Sequence, residues 1–275
     1  MPELPEVETV KNDLKNLVEG DQILFVKVLN PCNLKDIAEK DFKNILKGKK
    51  IKTISRLGKS LKFSLNSGYA MLVHLKMTGR FYAPQVIDSL DSHTHIIFKM
   101  KKTGWLAFSD IRKFGVVYVK RDIDLKRLPY LQNLGVDPTG SFYKLDLFKK
   151  LVNKHGRKNL KVFLLDQSIV SGIGNIYASE ILFKSGLNPL RAVGSLNLRE
   201  IKLLFENIRL ILRKAIKYRG TTSDNFKDVS GAQGGFQSLL KVYARADESC
   251  SVCAKKIERI VQNGRSTFYC TLCQS

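Results

Sequence analysis

The chain has 275 residues, and its 44% apolar fraction is that of a protein able to bury a core. Lysine and arginine number 47 against 25 aspartates and glutamates, a net charge of +22 that repels itself unless it meets a large anion. Nucleic acid is the commonest such partner, because each neutralised phosphate releases counterions; an anionic membrane surface or a ribosome fits the charge as well. No run approaches the roughly 18–20 apolar residues of a membrane helix, and no basic-then-apolar leader opens the chain. A soluble, cytoplasmic protein without a membrane partner is expected.

The first element is a helix, with Val7, Val10, Leu14 and Leu17 forming one apolar stripe and Glu3, Glu6 and Glu8 near its start. Gly20 closes it. Ile23 to Leu29 is rich in β-formers, and Leu61, Phe63 and Leu65 alternate with Lys62 and Ser64 as in a half-buried strand. Asn66-Ser67-Gly68 is a turn that returns through Tyr69 to Leu75. His95 to Met100 and Trp105 to Phe108 make a hairpin around Thr103-Gly104, and Val116 to Val119 adds a short strand. Strands this short and close predict a two-layer β structure. Gly135, Pro138 and Gly140 mark Leu128 to Ser141 as a linker.

Beyond the linker the period is helical. Leu145 to Val152 is one helix, and Ile176 to Ser185 is a second, closed by Gly186. Asn197 and Glu200 have capping-box spacing before a long helix that carries Ile201, Leu204, Phe205, Ile208, Leu212 and Ala215 on one face and ends at Gly220. Val229 to Gln237 reads as a mobile, Gly-rich loop.

Four of the five cysteines stand as Cys250-x2-Cys253-x16-Cys270-x2-Cys273. Two knuckles of this spacing place four thiolates at the corners of a tetrahedron, the geometry of a closed structural zinc site. With four protein ligands no position remains for a reacting water, so one structural Zn2+ is expected. Lys255, Lys256, Arg259 and Arg265 on that hairpin are suited to phosphate, although such charges are often only solvated. At the other end stands Pro2-Glu3-Leu4-Pro5-Glu6. Once Met1 is removed, Pro2 presents a secondary amine with the low pKa of an α-amino group, about 7.7–8.0, and hence a nucleophile at neutral pH. Its condensation with a sugar carbon gives a cationic iminium that favours elimination of the neighbouring phosphates, with Glu3 placed to shuttle protons. Taken alone, these residues read as the start of a helix.

The opening Met-Pro-Glu-Leu-Pro-Glu-Val-Glu-Thr at residues 1–9 resembles that of the formamidopyrimidine-DNA glycosylase family. Five further segments agree in order: Gly58-Lys59; His74 to Gly79; Asp110 to Gly115; Gly172 to Glu180; and the cysteine hairpin ending Gly264-Arg265-Ser266-Thr267-Phe268-Tyr269-Cys270. The match spans nearly the whole chain and is loose over 30–50, 80–93 and 119–156.

The resemblance implies that Pro2 attacks the sugar C1′, that Glu3 is the acid/base group, that Glu6 helps order the site and that Lys59 contacts phosphate and assists catalysis. It implies a wedge of Met77, Arg112 and Phe114, which fills the gap left by a flipped nucleotide and meets the abandoned cytosine; by residue type alone Met77 and Phe114 read as core. Asn175, at the glycine-rich start of a helix, is implied to bind DNA backbone, together with Arg265 and, less directly, Arg157 and Lys158. Thr221 and Thr222 fall in the loop that covers the flipped base. Position 78 is Thr where some relatives have Glu, which sets aside a base contact from that position. His74, His93, His95 and His155 lack ligand spacing to the cysteines and read as structural or surface residues; Cys32 has no evident role.

The expected fold is α+β. Residues 1–128 form an N-terminal catalytic two-layer β-sandwich with flanking helices, 129–141 a hinge, 142–237 a helical domain with a helix–two-turn–helix element, and 238–275 a zinc-binding β-hairpin, with DNA in the cleft. The expected activity is that of a monomeric bacterial, nucleoid-associated glycosylase and abasic-site lyase of base excision repair, acting on oxidised purines in damaged double-stranded DNA. Two alternatives stay open: an endonuclease VIII-like enzyme for oxidised pyrimidines, and a non-catalytic zinc-containing DNA-binding protein.

Overall fold

The computed structural model describes residues 1–222 and 226–275. The chain divides into two compact units, Met1–Gln132 with Tyr218–Gly235, and Asn133–Lys217 with Phe236–Ser275. In the first, α1 (Leu4–Val18) starts at a capping box: the Glu3 side chain accepts from the Glu6 N–H, and the Glu6 carboxylate accepts from the Glu3 N–H. Pro5 lies in the first turn, where a missing N–H costs no helical bond. Val7, Val10, Leu14 and Val18 are buried, so Val18 rather than the half-buried Leu17 completes the stripe.

Two antiparallel four-stranded sheets follow. One has the order β1 (Ile23–Val28), β6 (Thr94–Met100), β7 (Gly104–Asp110), β5 (Gly79–Tyr82); the other β2 (Ile51–Leu57), β3 (Ser60–Leu65), β4 (Tyr69–His74), β8 (Val116–Arg121). They share one core with α1. The Phe63 ring of one sheet lies 5.5 Å from Phe81 of the other, which in turn lies 5.2 Å from Phe108. A second helix, α2 (Glu39–Leu46), buries Phe42 and Leu46 against this core. Its short apolar period is diluted by lysines, which hid it in the sequence. Two single turns, α3 (Asp122–Leu125) and α4 (Pro129–Gln132), close the unit before the chain leaves it.

The second unit is helical: α5 (Leu145–Lys154), α6 (Leu160–Leu165), α7 (Asn175–Ser185) and α8 (Leu198–Lys217), followed by the hairpin β9 (Glu258–Gln262) and β10 (Arg265–Tyr269). Asn197 and Glu200 cap α8 reciprocally, side chain to backbone at 2.8 and 2.9 Å, as their spacing predicts. Gly186 ends α7 in the left-handed conformation, φ 66°. Gly135, read as part of a linker, is a point of close approach. Its N–H donates to Gln167 O at 2.8 Å, and a Cβ there would lie 2.4 Å from the Ile169 carbonyl carbon. Among the described residues no helix is long and apolar enough to cross a membrane.

Asp21 joins the end of α1 to the β6–β7 turn. Its buried carboxylate accepts from the backbone of Gln22, Lys102 and Thr103 and from the Thr103 hydroxyl. Burial opposes its ionisation, but these donors outweigh burial and hold the carboxyl below its usual range. A group with a depressed folded pKa stabilises fully above its unfolded pKa, about 3.9, and loses that contribution as pH falls through the folded value. Asp21→Asn is therefore expected to lower stability by about 1–3 kcal/mol at pH 7. The gap to the parent should close below about pH 4, which urea denaturation at the two pH values checks.

Candidate functional site

The start of α1 is held from several sides. Pro2 is buried, and Glu3 and Glu6 are 3% and 1% exposed. Glu6 Oε2 accepts from the Glu3 N–H at 2.7 Å, and Oε1 accepts from the Thr221 N–H at 2.7 Å. One carboxylate thus holds residue 3 and residue 221 together. Gly220 has φ +82°, and a Cβ there would sit 2.6 Å from Glu6 Oε1. Only glycine meets both conditions.

Lys59 lies beside Gly58 (φ 58°) in the β2–β3 turn and is 5% exposed, so it is not the ordinary surface lysine its type suggests. The turn is fastened to α1 through Arg56, which donates to Glu8 Oε2 at 2.7 Å and to Gly58 O at 3.0 Å. His74 is held in the neutral form by burial and by the nearby charges of Lys76 and Lys59, which bring its pKa down to about 3. Its Nδ1 accepts from the Lys76 N–H at 3.0 Å, which puts the imidazole proton on Nε2.

Met77, Arg112 and Phe114 stand out from the surface. Met77 is 37% and Phe114 55% exposed, and the Arg112 guanidinium lies 5.0 Å from the Phe114 ring centre. Neither apolar residue is in the core. Their two loops turn through left-handed lysines, Lys76 (φ 54°) and Lys113 (φ 58°), a conformation a non-glycine residue adopts only where its surroundings impose it. The Lys76 N–H is held by His74 Nδ1, and Asp110, fully buried, braces the Lys113 loop: it accepts from Asn33 Nδ2 (3.0 Å), Gly115 N (2.6 Å) and Thr78 Oγ1 (2.5 Å). Asn33 Oδ1 meets His95 Nδ1, which lies 3.2 Å from Cys32 Sγ. His95 is thus structural, as expected, and Cys32 touches the network that holds the loop. Asp110 lay inside a recognised segment and Asn33 outside any; neither stood out as a functional residue in the sequence.

Residues 218–222 and 226–235 also belong to the first unit. Arg219 (φ 61°) pairs with Asp13 at 2.7 Å and Asp228 at 2.6 Å. Asp228 gathers Ser230 N, Ser230 Oγ and Ala232 N, so the stretch expected to be a mobile loop has its own internal hydrogen bonds. The Thr222 hydroxyl donates to Phe226 O and accepts from Gly234 N. A cavity of about 310 Å³ has Thr78, Arg80, Ser109 and Ile111 on one wall and Thr222, Phe226, Lys227 and Gln233 on another. That volume is at the lower end of small-molecule sites, roughly 300–1,000 Å³.

In the second unit, the carbonyl of Ser266 receives the Asn175 Nδ2 amide (2.9 Å) and the fully buried Lys161 ammonium (2.7 Å), which also reaches Thr267 Oγ1. Both donors therefore fix the residue next to Arg265, which is exposed, as is Arg157. Asn175 Oδ1 is buried with no hydrogen-bond partner. Lys161 was missed in the sequence, although a lysine heading the apolar run Val162 to Leu165 was the available sign. Glu180 closes a recognised segment, but its part could not be read from the sequence. Its buried carboxylate accepts from the N–H groups of Lys241, Val242 and Tyr243, each at 2.9 Å, and so holds the approach to the cysteine hairpin.

The sulfurs of Cys250, Cys253, Cys270 and Cys273 lie within 4.8 Å of one another, with Cys250–Cys273 at 3.9 Å and Cys253–Cys270 at 3.4 Å. A tetrahedron with Zn–S bonds of 2.3 Å has edges of about 3.8 Å, so the donor set fits one zinc ion. Burial raises the Cys250 pKa, but the Val252 and Cys253 N–H groups and neighbouring thiols outweigh it and bring it to about 7. Shared protons raise the pKa of Cys253 and Cys273, so the four thiols titrate as a set, and a cation at their centre would favour the thiolates. The four cysteines hold one structural zinc, which keeps this small hairpin folded.

Two outcomes follow. Gly220→Ala should destabilise the protein by about 1–3 kcal/mol through the clash with Glu6, measured by urea denaturation; a neutral effect would show that Glu6 has room to move. Chelation of the metal under reducing conditions should speed amide exchange throughout β9 and β10 and leave β6 and β7 unchanged. Unchanged exchange in the hairpin would deny the metal a structural part.

Comparison with known proteins agrees with this geometry. Residues 1–117 match the formamidopyrimidine-DNA glycosylase N-terminal domain, 134–227 its H2TH domain, and 247–275 the zinc finger found in FPG and IleRS. A formamidopyrimidine-DNA glycosylase of Pelotomaculum thermopropionicum is 39% identical over 275 residues, covering 100% of this chain and 99% of that one. One of Bacillus cereus is 39% identical over 277 residues, with the same shares. Among solved structures, the MutM (Fpg) protein from Thermus thermophilus superposes with a TM-score of 0.88 at 33% identity, covering 99% of this chain and 98% of that one. Lactococcus lactis Fpg, in complex with DNA containing an abasic site, gives 0.90 at 33% identity, covering 99% of each. With every domain matched in order, the chain belongs to the formamidopyrimidine-DNA glycosylase family.

Proposed function

We propose that the protein is a bifunctional glycosylase and abasic-site lyase of base excision repair that removes oxidised purines, such as 8-oxoguanine and formamidopyrimidines, from double-stranded DNA. The observation that carries this reading is the start of α1, where Pro2 and Glu3 are buried at a helix N-terminus fixed by Glu6. After removal of Met1, Pro2 presents a secondary α-amine, a group whose ordinary pKa of about 7.7–8.0 leaves part of it free at neutral pH. The free amine attacks C1′, the bond from C1′ to the base breaks, and the base leaves with a proton. The sugar ring opens to an iminium, which withdraws electrons and lets the 3′ and then the 5′ phosphate eliminate. Glu3 serves the ring oxygen and the sugar protons as acid and base. Lys59 meets a phosphate of the damaged strand.

Met77, Arg112 and Phe114 take the place of the extruded nucleotide. Asn175, Arg265 and Arg157 bind backbone phosphates, and Thr221 and Thr222 support the loop over the flipped base. A mutant of the similar Lactococcus lactis Fpg has been solved in complex with Fapy-dG containing DNA, which is the lesion class proposed here. The charge of +22 suits a cytoplasmic protein that spends its time on the nucleoid.

Borohydride added during reaction with a duplex carrying 8-oxoguanine opposite cytosine should trap a covalent complex, and Pro2→Gly should abolish it. Trapping that survives Pro2→Gly would overturn the proline mechanism. Faster excision of thymine glycol than of 8-oxoguanine would move the assignment to oxidised pyrimidines.

A further inference from the structure

The exposed residues of the wedge come from two separate pieces of chain. Met77 stands on the turn between β4 and β5, and Arg112 and Phe114 on the loop between β7 and β8. Thr78 joins them. Its hydroxyl donates to Asp110 Oδ1 at 2.5 Å and accepts from the Arg112 N–H at 2.9 Å. The hydroxyl proton is therefore committed to the carboxylate and a lone pair to the backbone of the residue whose side chain would meet the widowed base. Asp110 completes the joint through Gly115 N at 2.6 Å and Asn33 Nδ2 at 3.0 Å. Thr78 also lines the 310 Å³ cavity, but with its donor engaged in this way it has no proton to offer a base there.

We infer that Thr78 is a positioning residue that couples the two limbs of the wedge, and that through Arg112 it sets the preference for the base opposite the lesion. This inference rests on the wedge reading given above. A bidentate donor such as arginine discriminates between bases only when its backbone is fixed, because a shift of an ångström moves both N–H groups off their acceptors. Thr78 fixes that backbone at Arg112 N itself. Loss of the hydroxyl frees Arg112 N and removes one of the three donors on the fully buried Asp110.

The test compares kcat/KM for 8-oxoguanine opposite cytosine and opposite adenine in the zinc-loaded protein. Thr78→Val keeps the shape without the hydroxyl, and Thr78→Ser keeps the hydroxyl without the methyl. Thr78→Val is expected to lower the cytosine-over-adenine preference by roughly three- to tenfold, the worth of about one hydrogen bond, while Thr78→Ser retains it. Should Thr78→Val fail to fold, Thr78→Ala removes the same hydroxyl with less bulk and must show the same change. Arg112→Ala separates the two readings. If it alters the preference and the hydroxyl-free variants do not, the coupling is refuted and the wedge stands. If Arg112→Ala leaves the preference untouched, the wedge reading fails and the inference fails with it. A loss of rate equal for both opposite bases in Thr78→Val would reduce Thr78 to a purely structural role and likewise overturn the proposal.

Discussion

Glu6 ties the start of α1 to Thr221, far along the chain, and the first unit's site depends on that tie. An amphipathic helix can be placed by its apolar stripe, but its first residues need a partner for the N–H groups that have no carbonyl within the helix. Glu6 supplies one by accepting from Glu3, and its second oxygen accepts from Thr221, so a chain separation of over two hundred residues is closed at one carboxylate. The placement of Pro2, the proposed nucleophile, follows from this. The residue is buried, it sits at the positive end of the dipole, and its neighbour Glu3 has a fixed backbone. Gly220 is the complementary constraint, since the carboxylate occupies the space a side chain would need.

The same device recurs wherever an irregular segment must be rigid. Asp21 binds the β6–β7 turn, Asp110 the loop that presents Arg112, Asp228 the stretch after Phe226, and Glu180 the residues leading to the cysteine hairpin. In each case a buried carboxylate accepts from one or more backbone N–H groups that lie outside the sheet and helix ladders. Such an arrangement suits a chain whose surface must be basic, because the acidic groups order loops from inside and the lysines and arginines are left outside.

How much of this the sequence disclosed depended on periodicity and on spacing. α1 and α8 announced themselves by their stripes and caps, and the cysteine hairpin by its two knuckles. The Leu61, Phe63, Leu65 alternation marked β3 for the same reason. α7 was legible only through Gly186, since nearly every one of its faces is buried and no polar side sets a period. α6 was not legible, because Leu160 to Leu165 is a short apolar run that suits a strand equally well. At the site, Pro2, Glu3 and Lys59 could be named from the resemblance, and so could the wedge. What could not be read were the supporting partners. Asn33, Thr78 and Asp110 are far apart in the chain, and a hydrogen bond between distant side chains leaves no pattern in a sequence. Residue type also misled: Met77 and Phe114 look like core and are exposed, while Lys59 and Lys161 look like surface and are buried.

The exposure of Met77 and Phe114 has an energetic side. A protein in water gains nothing by holding a phenyl ring 55% and a thioether side chain 37% exposed on turns that run through left-handed lysines. Burying what remains of those two surfaces would release together roughly 1.5–3 kcal/mol. Extruding a nucleotide from a duplex demands a few kcal/mol. On the proposed wedge reading, the unfavourable hydration of these two side chains is a free energy comparable to the work of extruding a nucleotide, and it would be returned where they enter an apolar gap between stacked rings.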